Sequence, residues 1–143
     1  MTTAKMGYWP SQTDVQIKTV KAWIALAEKR DEQALQWMRA AAEAEEASDR
    51  HPVTPWNVLP SRELLGEMLL LLNRPSEALN EFERSLKRDT NRFRGIYGAA
   101  RAAQAAGNLE AARGYYGTLL TMTASHDTER PELKQAKAFL SSR

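Results

Sequence analysis

The strongest constraint in this chain of 143 residues is a pattern that occurs twice at one fixed offset. Leu65-Gly66 is followed by Ala78-x-x-x-Phe82, and Ala99-Ala100 by Ala112-x-x-x-Tyr116. Gly66 maps onto Ala100, Ala78 onto Ala112 and Phe82 onto Tyr116, each 34 residues further on. A period of this size marks a supersecondary unit that stacks on copies of itself, because one helix pair cannot bury its own apolar face. Gly66 and Ala78 are then expected where the two helices of a pair cross closely. Phe82 and Tyr116 are expected as wedges between one pair and the next.

The units read as helical. Ala, Leu, Glu and Arg abound while Val and Ile are few, which favours helices over strands and predicts an all-α chain. Residues 1–10 carry no periodic signal and are expected to be a loose start to a single domain over 11–142. Ser11 reads as an N-cap with Asp14 three residues on, and Val15, Val20, Trp23, Ile24 and Ala27 then recur at helical spacing to about Lys29. Asp31 opens a second helix carrying Ala34, Leu35, Met38, Ala41 and Ala42. Together these make a worn first repeat over 15–48, with Ala34 and Met38 in the places of Ala78 and Phe82.

Ala34 and Ala78 are 44 residues apart, and the excess falls in an insertion at 49–58. Pro52 and Pro55 exclude a continuous helix there, and Pro60 suits the first turn of the next one. The second repeat spans 59–92, turning at Asn73-Arg74-Pro75-Ser76, and the third spans 93–126, turning at Gly107-Asn108. A last helix at about 130–141 aligns Leu133, Ala136 and Leu140 on one stripe, as a terminal cap does.

These residues resemble the tetratricopeptide repeat, whose signature is Trp-x-x-Leu-Gly-x-x-Tyr, Ala-x-x-x-Phe-x-x-Ala and then Pro. Leu65, Gly66, Ala78 and Phe82 match it; Arg62, Leu69, Ser85 and Thr90 stand where the family has Trp, Tyr, Ala and Pro. Ile96, Ala99, Ala100, Ala103, Ala112, Tyr116 and Leu119 fill those places in the third unit, and Ala22, Ala25, Ala34, Met38 and Ala41 in the first. More narrowly, Tyr8-Trp9, His51-Pro52-Val53-Thr54-Pro55 and the stretch from Asn91 to Ala103 resemble the C-terminal portion of longer bacterial repeat proteins of unknown function. The resemblance implies an α-α superhelix, a right-handed solenoid of three helix pairs plus a C-terminal capping helix. With no repeat upstream, the first pair is expected to leave an outer face around Trp23 and Trp37 uncovered. That points to self-association, a homo-oligomer, or to a partner.

The resemblance also implies that the first helix of each pair lines a concave groove for a peptide or partner helix. Its groove positions fall on Arg94, Tyr97, Gly98, Arg101, Gln104 and Ala105 in the third unit. In the second they include Glu63, Leu64, Glu67 and Leu70, and in the first Gln16, Thr19, Val20 and Trp23. Arg94, Tyr97 and Arg101 share one helical face, and arginines there suit a carboxylate or an acidic peptide because guanidinium forks onto carboxylate in bidentate fashion. The alternative is that Arg94 and Arg101 pair with Glu63 or Glu67 across the groove. The carboxylate clamp of chaperone-binding family members is not reproduced, since Gly98 sits where a basic residue is wanted. A second candidate is a small-molecule pocket beneath the 49–58 loop, lined by His51, Trp56 and Tyr97.

Other functional classes find little in the chain. A formal net charge of +2 is far from that of a polycation. The basic stretch from Arg84 to Arg101 is expected to place Phe93 in the core, so nucleic acid is disfavoured. With no cysteine, a disulfide, a thiolate zinc site and a Cys nucleophile are excluded. His51 and His126 lie in loops without carboxylates at ligand spacing, so no metal is expected. The run Glu43, Glu45 and Glu46 reads as a solvated face. No phosphate loop, nucleophile elbow or metal-ligand pair occurs, so neither a catalytic residue nor a cofactor is expected. The longest apolar run, Met68 to Leu72, is far short of the roughly 20 residues a membrane span needs. The chain begins without a secretory core and is expected in the cytoplasm.

Overall fold

The computed structural model describes residues 8–48, 58–125 and 129–142, with side chains from Gln12 onward, and forms seven α-helices over them. They are α1 (Tyr8–Ala27), α2 (Asp31–Ala47), α3 (Ser61–Leu71), α4 (Pro75–Arg88), α5 (Phe93–Ala105), α6 (Leu109–Thr123) and α7 (Pro131–Ser141). Each packs on the next in sequential antiparallel fashion, and α3 also touches α5. The domain is all-α and repeat-like.

The offset seen in the side chains recurs in the backbone turns. Lys29, Asn73 and Gly107 each adopt a positive φ, at 59°, 56° and 77°. After them the amides of Arg30, Arg74 and Asn108 donate to the carbonyls of Ala25, Leu69 and Ala103 at 2.9, 2.8 and 2.9 Å. This is a left-handed helix cap that satisfies an otherwise orphaned carbonyl, repeated three times. The worn first unit thus closes its turn as the other two do. Only Gly107 takes the conformation without a Cβ penalty.

The helix starts differ from the sequence reading in two places. α1 begins at Tyr8 rather than after Ser11, because Pro10 falls within its first turn, where the missing N–H has no intrahelical partner to lose. Asp31 is the first residue of α2 rather than its cap, and Arg30 makes no capping hydrogen bond. Asn108 does cap α6, its side chain accepting from the Ala111 amide at 3.2 Å.

Two cores fill the stack. One gathers Ala22, Ala34, Leu35, Met38, Leu65, Met68, Leu69, Ala78, Phe82 and Ala99; the other gathers Ile96, Ala100, Ala112, Tyr116, Leu119, Leu133 and Ala136. Leu79, Leu86 and Tyr115 pack against both. Phe82 and Tyr116 are fully buried, as wedges must be. The Phe82 ring lies between α3 and α5, so close that a Cβ on Gly66 would meet it at 2.7 Å and one on Gly98 at 2.2 Å. Gly98 is therefore a seat for Phe82 and not a groove position.

The acidic end of α2 is a second correction. Glu43 is exposed, but Glu45 is buried, and its carboxylate accepts from the Ser61 amide at 3.0 Å and the Ser61 hydroxyl at 2.7 Å. It caps the start of α3 from another helix, placing negative charge at the positive helix end. Glu46 accepts from Arg62, which also donates to Glu81 of α4. The run ties α2 to the next pair because both carboxylates face the start of α3. Replacing Glu45 with Ala is expected to lower stability by about 1–3 kcal/mol through the orphaned Ser61 donors, readable as a lower urea midpoint.

Candidate functional site

The first helices of the three pairs, with the start of α7, enclose an open groove of about 460 Å³. It is lined by Trp23 of α1, by Leu64, Glu67 and Leu71 of α3, by Phe93, Arg94, Tyr97 and Arg101 of α5, and by Arg130 and Glu132. Helical periodicity explains the alignment. Arg94, Tyr97 and Arg101 fall on one face of α5, and Leu64, Glu67 and Leu71 on one face of α3.

The groove gathers Trp23, Leu64, Glu67, Arg94, Tyr97 and Arg101, six of the residues expected from the sequence. The arginines divide. Arg101 donates to Glu67 at 3.1 Å and lies 5.5 Å from the Tyr97 ring centre, so the internal-pairing alternative describes it. Arg94 is exposed and has no hydrogen bond or ion pair among the described residues.

Two expected groove residues are used elsewhere. Glu63 is only 4% exposed and accepts from Arg92 Nε at 2.7 Å. Arg92 also donates to the Val58 carbonyl at 2.8 Å. The hydrogen bond to Glu63 holds the Arg92 guanidinium above its ordinary range, against the opposing effect of burial. Glu63 thus braces the chain before α3 against the start of α5. Gln104 accepts from the Tyr116 hydroxyl at 2.9 Å and does not line the groove.

Tyr97 connects the groove to the cap. Its hydroxyl donates to Gln135 Oε1 at 2.6 Å, and Gln135 Nε2 donates to the Tyr116 hydroxyl at 3.1 Å. Burial pushes the Tyr97 phenol up, the Arg101 charge opposing this and the charges of Glu132 and Glu67 adding to it. Tyr97 is therefore a neutral hydrogen-bond donor at ordinary pH, and it fixes α7 as a wall of the groove.

Phe93, Leu71, Arg130 and Glu132 were not expected at the site. Phe93 packs on the second core, yet it also carries the Arg130 guanidinium 5.1 Å above its ring, an aromatic platform that attracts a cation. Arg130 has no carboxylate partner among the described residues. A signal for α7 did exist: it begins at Pro131, close after position 127, where one further period would open a fourth repeat. His51 and Trp56, the candidates for a loop pocket, lie outside the described residues. Among the described residues no three His, Cys, Asp or Glu side chains are grouped to hold a metal ion, and no helix is long and apolar enough to cross a membrane. No protein-family model matches the chain, and no curated protein matches it.

Proposed function

We propose that this domain is a protein-interaction scaffold of tetratricopeptide-repeat type that seats a peptide or partner helix in its concave groove. The observation that carries the reading is an exposed Arg94 and an exposed Leu71 lining one groove walled by four separate helices. A cation without a partner acid and an apolar side chain without a cover are both surfaces that a ligand improves. The stacked scaffold holds them in place before binding, which limits the ordering entropy lost on association. The reading assigns no catalytic residue and needs no cofactor.

The test is affinity capture with the full chain as bait. Arg94→Glu combined with Leu71→Ser is expected to lose the proteins that wild type retains, with helicity by circular dichroism unchanged. Capture of the same proteins by both baits would remove the groove assignment. A second reading, self-association, draws on exposed Ile17, Val20 and Ile24 of α1. It requires a mass that grows with concentration in light scattering, and a concentration-independent monomer ends it.

A further inference from the structure

We infer that the groove is bipartite, and that its occupant is an amphipathic helical segment of another protein, apolar along one stretch and acidic at its end. This rests on the groove reading above. Its apolar part comes from two helices. On α1, Ile17, Val20 and Ile24 are 48%, 57% and 51% exposed, and on α3 Leu71 is 67% exposed. Val20 lies one turn before Trp23, so the α1 stripe continues into the groove that Trp23 and Leu71 line. The cationic part comes from α5 and α7, which supply Arg94 and Arg130 without carboxylate partners among the described residues.

An apolar stripe at the spacing i, i+3, i+4, i+7 matches the first part, in the manner of a helix laid into a groove. Acids beyond that stripe match the second part, where charge complementarity selects against basic sequences. Exposed Ile17, Val20, Ile24 and Leu71 give a phosphate backbone nothing to pair with, which makes RNA a poor occupant. A second copy fits poorly too. The α1 stripe is flanked by Lys21, which has no carboxylate partner among the described residues and would approach Arg94 and Arg130 with like charge, while Lys18 pairs with Asp14.

The probe is a fluorescein-labelled synthetic helix of about 18 residues, or five turns, with Leu at i, i+3, i+4 and i+7 followed by a Glu/Asp cluster. One control replaces its acids with Lys, a second replaces its Leu with Ser, and a third is a labelled uridine oligonucleotide. By anisotropy, the acidic amphipathic peptide is expected to bind at least about 10-fold tighter than each control. Arg94→Glu with Arg130→Glu is expected to weaken it by about 10-fold or more and to turn the preference towards the Lys peptide. Val20→Ser with Leu71→Ser is expected to weaken it while leaving the preference for acid intact.

Equal binding of the acidic and Lys peptides, tighter binding of RNA, or affinity untouched by both variant pairs overturns the inference. So does dimerisation in light scattering that Val20→Ser with Ile24→Ser abolishes. If affinity capture depends on Arg94 and Leu71 but the acidic peptide has no advantage, the groove reading stands and this inference falls. If capture is indifferent to those residues, both fall.

Discussion

Truncating Phe82 to Ala is expected to cost about 3–5 kcal/mol, and Gly98→Ala, itself destabilising in the wild type, is then expected to recover stability in that background. Phe82 fills the contact between α3 and α5, where hypothetical Cβ atoms on Gly66 and Gly98 would meet its ring at 2.7 and 2.2 Å. No ordinary Cβ contact is so short, so Gly98→Ala alone must displace the ring or separate the helices, at about 1–3 kcal/mol. Remove the ring and the clash is gone. The added methyl then fills part of the cavity, and Ala exceeds Gly as a helix former by about 1 kcal/mol. The same substitution is therefore expected to change sign between the two backgrounds. Urea unfolding of the four proteins of this cycle measures the coupling, and additive costs would show that Phe82 and Gly98 do not share the contact.

The scaffold was legible in the sequence because stacking imposes it on residue size. Gly66, Ala78 and Phe82, repeated as Ala100, Ala112 and Tyr116, announce a small-small-large contact wherever it recurs. The turn after α1 was harder to read. Lys29 holds the same left-handed conformation as Asn73 and Gly107, but Lys gives no local signal for it, and the surrounding helices impose it. Gly98 was misplaced for a related reason. Repeat numbering assigns a position to the groove without regard to which ring the neighbouring unit inserts there.

The groove was half legible. Periodicity along one helix found Arg94, Tyr97 and Arg101, since residues on one helical face remain together whatever the fold does. Pairing between helices was beyond it. That Arg101 meets Glu67 while Arg92 takes Glu63 depends on distances across the stack, and on which carboxylate is buried. The part supplied by α7 was missed because an amphipathic terminal helix reads as a cover. Its first turn, with Arg130 and Glu132, serves as a wall instead.

Arg62→Met is expected to destabilise the domain by about 3 kcal/mol at neutral pH, near the lower end of the range for breaking a buried ion pair. Arg62 stands where the repeat signature has an apolar ring, yet its side chain is only 6% exposed and it joins Glu46 of α2 to Glu81 of α4. Removing the guanidinium leaves Glu81, itself 16% exposed, and Glu46, 34% exposed, with only the exposed Arg84 nearby, at 3.7 and 3.8 Å. Partial hydration of Glu46 and the presence of Arg84 keep the loss from the upper end. The hydrogen bond from Arg62 holds the Glu46 carboxyl below its ordinary value of 4.5, against burial. A depressed carboxylate contributes stability that is present above the ordinary range and is lost as pH falls through the lowered value. The wild type is therefore expected to weaken on acidification below about pH 4.5, whereas Arg62→Met, having lost that contribution, weakens less over the same interval. Adding Glu46→Gln and Glu81→Gln to Arg62→Met removes the charges left behind and is expected to restore part of the loss. Urea midpoints at neutral and acid pH separate the cases. A loss under about 1 kcal/mol with no change in pH dependence is the behaviour of an exposed pair, and it would mean that the three side chains do not hold α2 against α3 and α4.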